Sequence, residues 1–143
     1  MLKGIDKILT GDLLKVLCDM GHGDELVIAD ANFPASSLAT RLISLPGIDG
    51  VRAARAILTV FPLDTYSSPA FVMDLTDSDK AKGMQLPRMW NEYEDLVKRN
   101  GGDGLGKIER FEFYEKAKKA YAVVATGEER QYGNLILVKG VVL

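Results

Sequence analysis

The stretch Gly21-His22-Gly23-Asp24-Glu25-Leu26-Val27-Ile28-Ala29-Asp30 decides how this chain is read. Its centre, Leu26 to Ala29, is a continuous apolar run, the pattern of a strand buried on both faces of a sheet. Upstream, Leu13, Leu14, Val16, Leu17, Cys18 and Met20 form a wide apolar stripe at helical spacing. Thr10 or Asp12 is placed to cap that helix, and Gly21 can take the left-handed conformation that ends it. Downstream, Asp30 leads into Ala31-Asn32-Phe33-Pro34, a loop signal. Helix, turn, buried strand, acid and loop in that order suit a site at the edge of an α/β sheet.

The turn also holds the only histidine among 143 residues. Imidazole is the side chain whose ordinary pKa lets it give and take protons near pH 7, so any proton-transfer chemistry here points first to His22. Gly23 leaves the backbone beside the ring uncovered, open to a small ligand. A structural role for a lone loop histidine is the alternative.

Length and composition bound the rest. The chain predicts one domain over 1–143, and 47% hydrophobic with 27% charged residues is ordinary for a globular fold. A net charge of −2 gives no basic excess for a nucleic-acid partner. The single cysteine, Cys18, falls in the apolar helix and reads as a small core residue; without a partner it forms no intrachain disulfide, which suits a reducing compartment. No apolar run reaches the roughly 18 residues of a membrane helix, and the first residues carry Lys3, Asp6 and Lys7 rather than a signal-peptide core. The expected location is the cytoplasm. One His and one Cys rule out a dense His/Cys metal site, and no metal or other cofactor is expected.

Further along, Ser36 to Leu45 reads as loop with a possible helical turn or short strand, closed by Pro46-Gly47. Val51 to Phe61 reads as a helix with Arg52 and Arg55 on its solvated side, ended by Pro62. Phe71 to Met73 is a short strand, and Thr76 to Lys82 an exposed loop. Pro87 to Arg99 is a helix whose apolar face includes Trp90 and Tyr93, which suit core or interface positions. Asn100 to Gly106, with four glycines, is a flexible turn; it lacks the Gly-Lys-Ser/Thr ending of a phosphate loop. Glu109 to Lys119 is an amphipathic helix containing Phe111, Tyr114 and Ala117. Tyr121 to Ala125 and Leu135 to Val138 are the last strands, the latter preceded by Tyr132-Gly133-Asn134. Alternating strands and helices predict a three-layer α/β/α domain around a central sheet.

Several of these blocks together resemble the L-fucose mutarotase / D-ribose pyranase family. The likeness includes Leu13-Leu14-Lys15-Val16-Leu17, Met20-Gly21-His22-Gly23-Asp24-Glu25 and Asp30-Ala31-Asn32-Phe33-Pro34. It resumes at Arg110-Phe111-Glu112-Phe113-Tyr114-Glu115 and ends with Thr126-Gly127-Glu128 and Tyr132-Gly133-Asn134. The resemblance implies an enzyme that interconverts the α and β anomers of a free monosaccharide, and an α/β fold assembled into a ring, often a decamer. It also implies His22 as the proton donor, and Asp30, Arg110, Tyr132, Gly133 and Asn134 as sugar-binding residues. Arg110 before Phe-x-Phe-Tyr resembles the fucose branch, since the ribose branch tends to histidine there. Asn32 departs from the histidine of close fucose relatives, and Thr76 to Gly106 matches poorly.

The residue types fit that chemistry. Mutarotation puts a proton on the ring oxygen and takes one from the anomeric hydroxyl, reversibly, which one imidazole poised near neutrality can do. Asp30 can accept from a vicinal diol, Asn134 can donate and accept, Arg110 presents only donors, and Tyr132 carries a hydroxyl on an apolar plate. Each has an alternative: Arg110 a surface ion pair, Tyr132 a strand-edge core residue, Asp30 a cap on the turn before Pro34. Asp103, in the glycine-rich loop, is the expected acid to orient His22, reaching over from a neighbouring copy. His22 and Asp30 flank a strand whose ends lie well over ~10 Å apart. They meet on one sugar only if the His22 turn folds back or if two subunits contribute, and the expectation is a site at a subunit interface. The competing functions are ribose-type pyranose–furanose interconversion and a non-catalytic monosaccharide-binding module accessory to sugar uptake.

Overall fold

The computed structural model describes residues 1–143 as six strands and six helices. In chain order these are α1 (Gly11–Asp19), β1 (Glu25–Ala29), α2 (Ala35–Leu38), β2 (Leu42–Leu45), α3 (Gly50–Leu58), β3 (Ala70–Met73), α4 (Asp77–Ala81), α5 (Met89–Arg99), β4 (Gly106–Ile108), α6 (Arg110–Lys119), β5 (Ala122–Thr126) and β6 (Leu135–Val138). The strands form one sheet in the order β2-β5-β1-β6-β3-β4. β1, β2 and β5 run parallel, β3 and β4 likewise, and β6 lies antiparallel between β1 and β3. Five strands therefore point one way, and the start of β6 lies beside their carboxyl ends.

Both faces of the sheet are covered, as the buried run in β1 predicts. Successive strand side chains point to opposite faces. Leu26 and Ile28 join a core of 29 buried residues with α1, α3 and α5, while Val27 and Ala29 join a smaller one of 10 with Phe33, Phe113 and Ala117. β6, with all four residues buried, contributes Leu135 and Leu137 to the first core and Ile136 to the second. The layers are thus helix, sheet, helix, with most of the apolar volume under α1, α3 and α5.

Local chemistry sets the element boundaries. Thr10 caps α1 by accepting from the Leu13 amide, and Asp49 caps α3 by accepting from that of Arg52. α1 stops at Asp19, and the left-handed residue of the following turn is Gly23 (φ 86°), not Gly21. Cys18 is exposed, against the core position expected of it. Leu13, Val16, Leu17 and Met20 follow the i, i+3, i+4, i+7 stripe, and the residue after Leu17 is turned about 100° away from it. Arg52 is not simply solvated; its guanidinium donates twice to Asp6, at 2.7 and 2.8 Å.

One open reading is resolved and three more expectations change. The stretch read as a loop with a possible turn or strand contains both, α2 and then β2. Thr76 to Lys82 is not a loop: Thr76 accepts from the Asp79 amide and starts α4. The glycine-rich turn leads into a further edge strand, β4, paired with β3. In α6 it is Phe113 that packs inward, while Phe111 stays exposed.

Candidate functional site

The carboxyl ends of β1, β3 and β4 and the start of β6 surround a cleft of 580 Å³, the size range of small-molecule sites. Asp30 follows β1, Met73 ends β3 and Thr76 follows it, Arg110 follows β4, and Tyr132 and Asn134 precede β6. This is the end at which open α/β sheets hold ligands. The fold brings four of the expected binding side chains, Asp30, Arg110, Tyr132 and Asn134, to one cleft; Gly133 does not line it and instead donates its amide to Asp30.

The floor is over-determined. The Asp30 amide donates to Asn134 Oδ1 at 2.7 Å, and Asp30 Oδ1 and Oδ2 accept the amides of Asn32 (3.0 Å) and Gly133 (3.2 Å). Asp30 thus caps the turn before Pro34 and also ties β1 to the β6 loop. Burial pushes its carboxyl above the ordinary range, against the pull of those N–H donors. Asn134 is buried and spends its oxygen on Asp30, which leaves its amide protons as donors for the cleft.

Tyr132 has φ 59°, the one non-glycine residue in the left-handed region, where a bulky side chain is strained. α5 holds it there. Trp90 Nε1 donates to the Tyr132 carbonyl at 2.9 Å, and the buried Tyr93 hydroxyl donates to the Gly133 carbonyl at 2.7 Å. Burial pushes the Tyr93 phenol up, so it stays protonated as that donor. The phenol of Tyr132 reaches α4, where its hydroxyl donates to Asp79 and accepts the Thr76 amide. Arg110 is exposed at the rim and makes no ion pair; its Nε donates to the Tyr114 hydroxyl at 3.1 Å.

His22 is elsewhere. It precedes β1, at the amino end of the parallel strands, across the sheet from Asp30. The turn does not fold back: the Gly23 amide donates to the Lys139 carbonyl beyond the end of β6. The four steps of β1 alone separate its ends by ~13 Å. The acid that meets His22 within the chain is Asp64, 3.1 Å from Nε2. The Ser67 hydroxyl, the Tyr66 amide and His22 hold the Asp64 carboxyl down, at about 2. A carboxylate can only accept, so Nε2 carries the proton and Nδ1 is the free nitrogen. Asp103 is exposed in the loop before β4 and forms no hydrogen bond with His22 of its own chain. The exposed Tyr66 ring stands 5.4 Å from the imidazole.

The surroundings of His22 are apolar. Leu14, Leu17, Met20, Val60, Pro62 and Val142 line a 500 Å³ depression beside it, and Val60, Val141 and Val142 are exposed. No group of three or more His, Cys, Asp or Glu converges on one point, and no helix is long and apolar enough to cross a membrane.

Sequence reasoning missed Asp64, Thr76 and Asp79. Nothing in the sequence ties Asp64 to a histidine 42 residues away. The Thr76-x-x-Asp79 spacing, however, is a helix-start signature that could have revealed α4.

Comparison with known proteins adds four findings. The model of the RbsD / FucU transport protein family matches residues 3–142. A fucose mutarotase of Danio rerio is 56% identical over 146 residues, covering 99% of this chain and 95% of that protein. Among solved structures, the fucose mutarotase of Streptococcus pneumoniae in complex with L-fucose superposes with a TM-score of 0.92 at 43% identity, covering 99% of this chain and all of that one. Bacillus subtilis RbsD complexed with D-ribose superposes over the full length of both with a TM-score of 0.74 at 26% identity.

Proposed function

Because the chain belongs to the RbsD / FucU transport protein family, we propose that it is an isomerase, a mutarotase that interconverts the α and β anomers of L-fucose or a similar aldose. The observation that carries this reading is the monosaccharide-sized cleft, walled by Asp30, Arg110, Tyr132 and Asn134, in a chain so close to a mutarotase solved with L-fucose. The greater likeness to that protein than to the ribose-bound one favours an L-fucose-type substrate over ribose-type pyranose–furanose exchange.

Binding and proton transfer divide between two groups of residues. Asp30 accepts from sugar hydroxyls, while Asn134 and Arg110 donate to sugar oxygens. His22 is the general acid and base. Its Nδ1 takes the proton of the anomeric hydroxyl as the ring C–O bond breaks, the imidazolium is stabilised by Asp64, and the proton passes to the ring oxygen. The open aldehyde turns, and closure reverses each transfer. General acid–base catalysis supplies ~10²- to 10⁴-fold, enough for a reaction that free sugars already undergo slowly. No step draws on a metal, a nucleotide or an electron carrier.

Cleft and histidine sit at opposite ends of the sheet, so the working site is assembled between subunits, His22 of one copy against the cleft of the next. The exposed apolar rim around His22 fits burial against a neighbour. A ring homo-oligomer, a decamer by resemblance, provides that contact, and the cytoplasm supplies free sugar. Whether Asp103 of the neighbour also approaches His22 is read from turnover of Asp103→Asn.

Saturation-transfer NMR on L-fucose and D-ribose, with wild type and His22→Ala, tests the reading. Anomer exchange above the buffer rate that collapses in His22→Ala is the expected result, with L-fucose the faster sugar. No acceleration by wild type across a panel of aldoses overturns the mutarotase in favour of a sugar-binding module. Faster ribose assigns the protein to pyranase-type exchange.

A further inference from the structure

A capping box has two reciprocal bonds. The first residue's side chain accepts the amide three residues on, and that residue's carboxyl reaches back to the first residue's amide. At the start of α4 only the first bond is made: the Thr76 hydroxyl accepts the Asp79 amide at 3.2 Å. The return bond is replaced by Tyr132. Its hydroxyl oxygen accepts the Thr76 amide at 3.2 Å, and its proton goes to Asp79 Oδ2. The phenol of a cleft residue is thus inserted into the end of a helix whose Asp79 lies 53 residues from it in sequence, and α4 buries no residue of its own that would explain the docking otherwise.

We propose that Asp79 is a positioning residue that fixes the hydrogen-bond polarity of Tyr132 for the sugar. A phenol has one proton and two lone pairs. With the proton committed to Asp79 and one lone pair to Thr76, Tyr132 offers the cleft a single acceptor. Substrate must therefore meet it as a donor, with a free hydroxyl, and an ether or carbonyl oxygen gains nothing there. Without Asp79 the phenol proton is free to turn into the cleft, and Tyr132 loses this selectivity. The Tyr132 hydrogen bond itself, then Thr76, and more weakly the charges of Lys82 and Arg110, favour the ionised form of Asp79 against the cost of burial. The inference rests on the proposed reading of the cleft as the sugar site.

The test is a double-mutant cycle on anomer exchange, with Asp79→Ala, Tyr132→Phe and the pair. Loss of an orienting hydrogen bond to a charged group is expected to lower kcat/KM by about tenfold or more in Asp79→Ala. In the Tyr132→Phe background, where no phenol remains to orient, the same change has less than a ~twofold effect. Asp79→Asn, which keeps the size and a carbonyl acceptor, retains most of the rate. An Asp79→Ala enzyme equal to wild type, an undiminished loss in the Tyr132→Phe background, or an Asp79→Asn variant as impaired as the alanine each overturns the inference. Failure of wild type to accelerate any sugar strikes instead at the proposed function, so the two failures are told apart.

Discussion

Asp64 does for His22 what a lone imidazole cannot do for itself: it fixes the tautomer and stabilises the protonated ring. Asp64→Asn leaves the shape but offers Nε2 a weaker partner that can also present a donor. Exchange measured by NMR is expected to fall by about 10²-fold, within the range of acid–base catalysis, while sugar affinity holds. Equal turnover removes Asp64 from the mechanism. The same carboxylate has a signature in stability. Its pKa is depressed from the ordinary 3.8 to about 2 by Ser67, Tyr66 and His22, so its contribution is present above the ordinary value and is lost as pH falls from there through about 2. Thermal melts of wild type and Asp64→Asn should converge across that window. Asp30 behaves oppositely, its carboxyl raised by burial. Protonation removes its charge and turns one acceptor oxygen into a donor, so if Asp30 binds the sugar as proposed, affinity measured by titration should fall on acidification with a midpoint above 3.8. His22 and Asp30 were legible as residues because one is unique and the other ends a buried run. Asp64 was not, since only the fold closes a 42-residue gap.

Among the elements, legibility tracks how much a segment owes to its own sequence. β1, α1, α5 and β6 carry continuous or helical apolar patterns and were readable. β4 is three residues long and exists because β3 offers a free edge, while α4 hides no apolar face; nothing periodic marks either one. In α6 two phenylalanines two residues apart compete for the core, and the choice of Phe113 over Phe111 is made by contact with Phe33 and Val123 in the smaller core, not by the helix itself. The Thr126-Gly127-Glu128 block shows a different dependence. The Gly127 amide donates to the Ile48 carbonyl at 2.8 Å, and a Cβ at Gly127 would lie 2.1 Å from the Pro46 carbonyl oxygen. Beside it, the buried Glu128 accepts the Gly50 amide and the Arg130 guanidinium. Gly127→Ala must push the strand end from the Pro46 loop, and denaturant unfolding should show a loss of about 2 kcal/mol, typical of overpacking. A wild-type midpoint in that variant places the loop's freedom to move above the contact.

At the scale of the molecule, the sheet itself keeps His22 and the cleft apart. Strand direction sends Asp30, Tyr132 and Asn134 to one end and His22 with Asp64 to the other, and no rotamer spans a strand of that length. The length of β1 alone made this separation legible from sequence, though not the apolar rim that surrounds the histidine. A site shared between copies has a consequence that a single-chain site lacks. His22→Ala removes the proposed acid–base group from one end. Asn134→Asp keeps an acceptor for the Asp30 amide but strips the cleft of both amide donors and adds a second carboxylate. Each variant alone should be inactive. Mixed oligomers, assembled by co-expression in equal amounts, contain junctions at which an intact His22 meets an intact cleft. Random assembly in a heterologous ring puts both at about a quarter of the junctions, so the mixture should recover about a quarter of wild-type exchange. Recovery requires that the two mutations lie on opposite sides of one interface, because no folded chain in the mixture carries both intact groups. If the mixed oligomers form and stay silent, His22 and the cleft do not cooperate across a junction, and the separation seen along β1 becomes an argument against His22 as the acid–base residue.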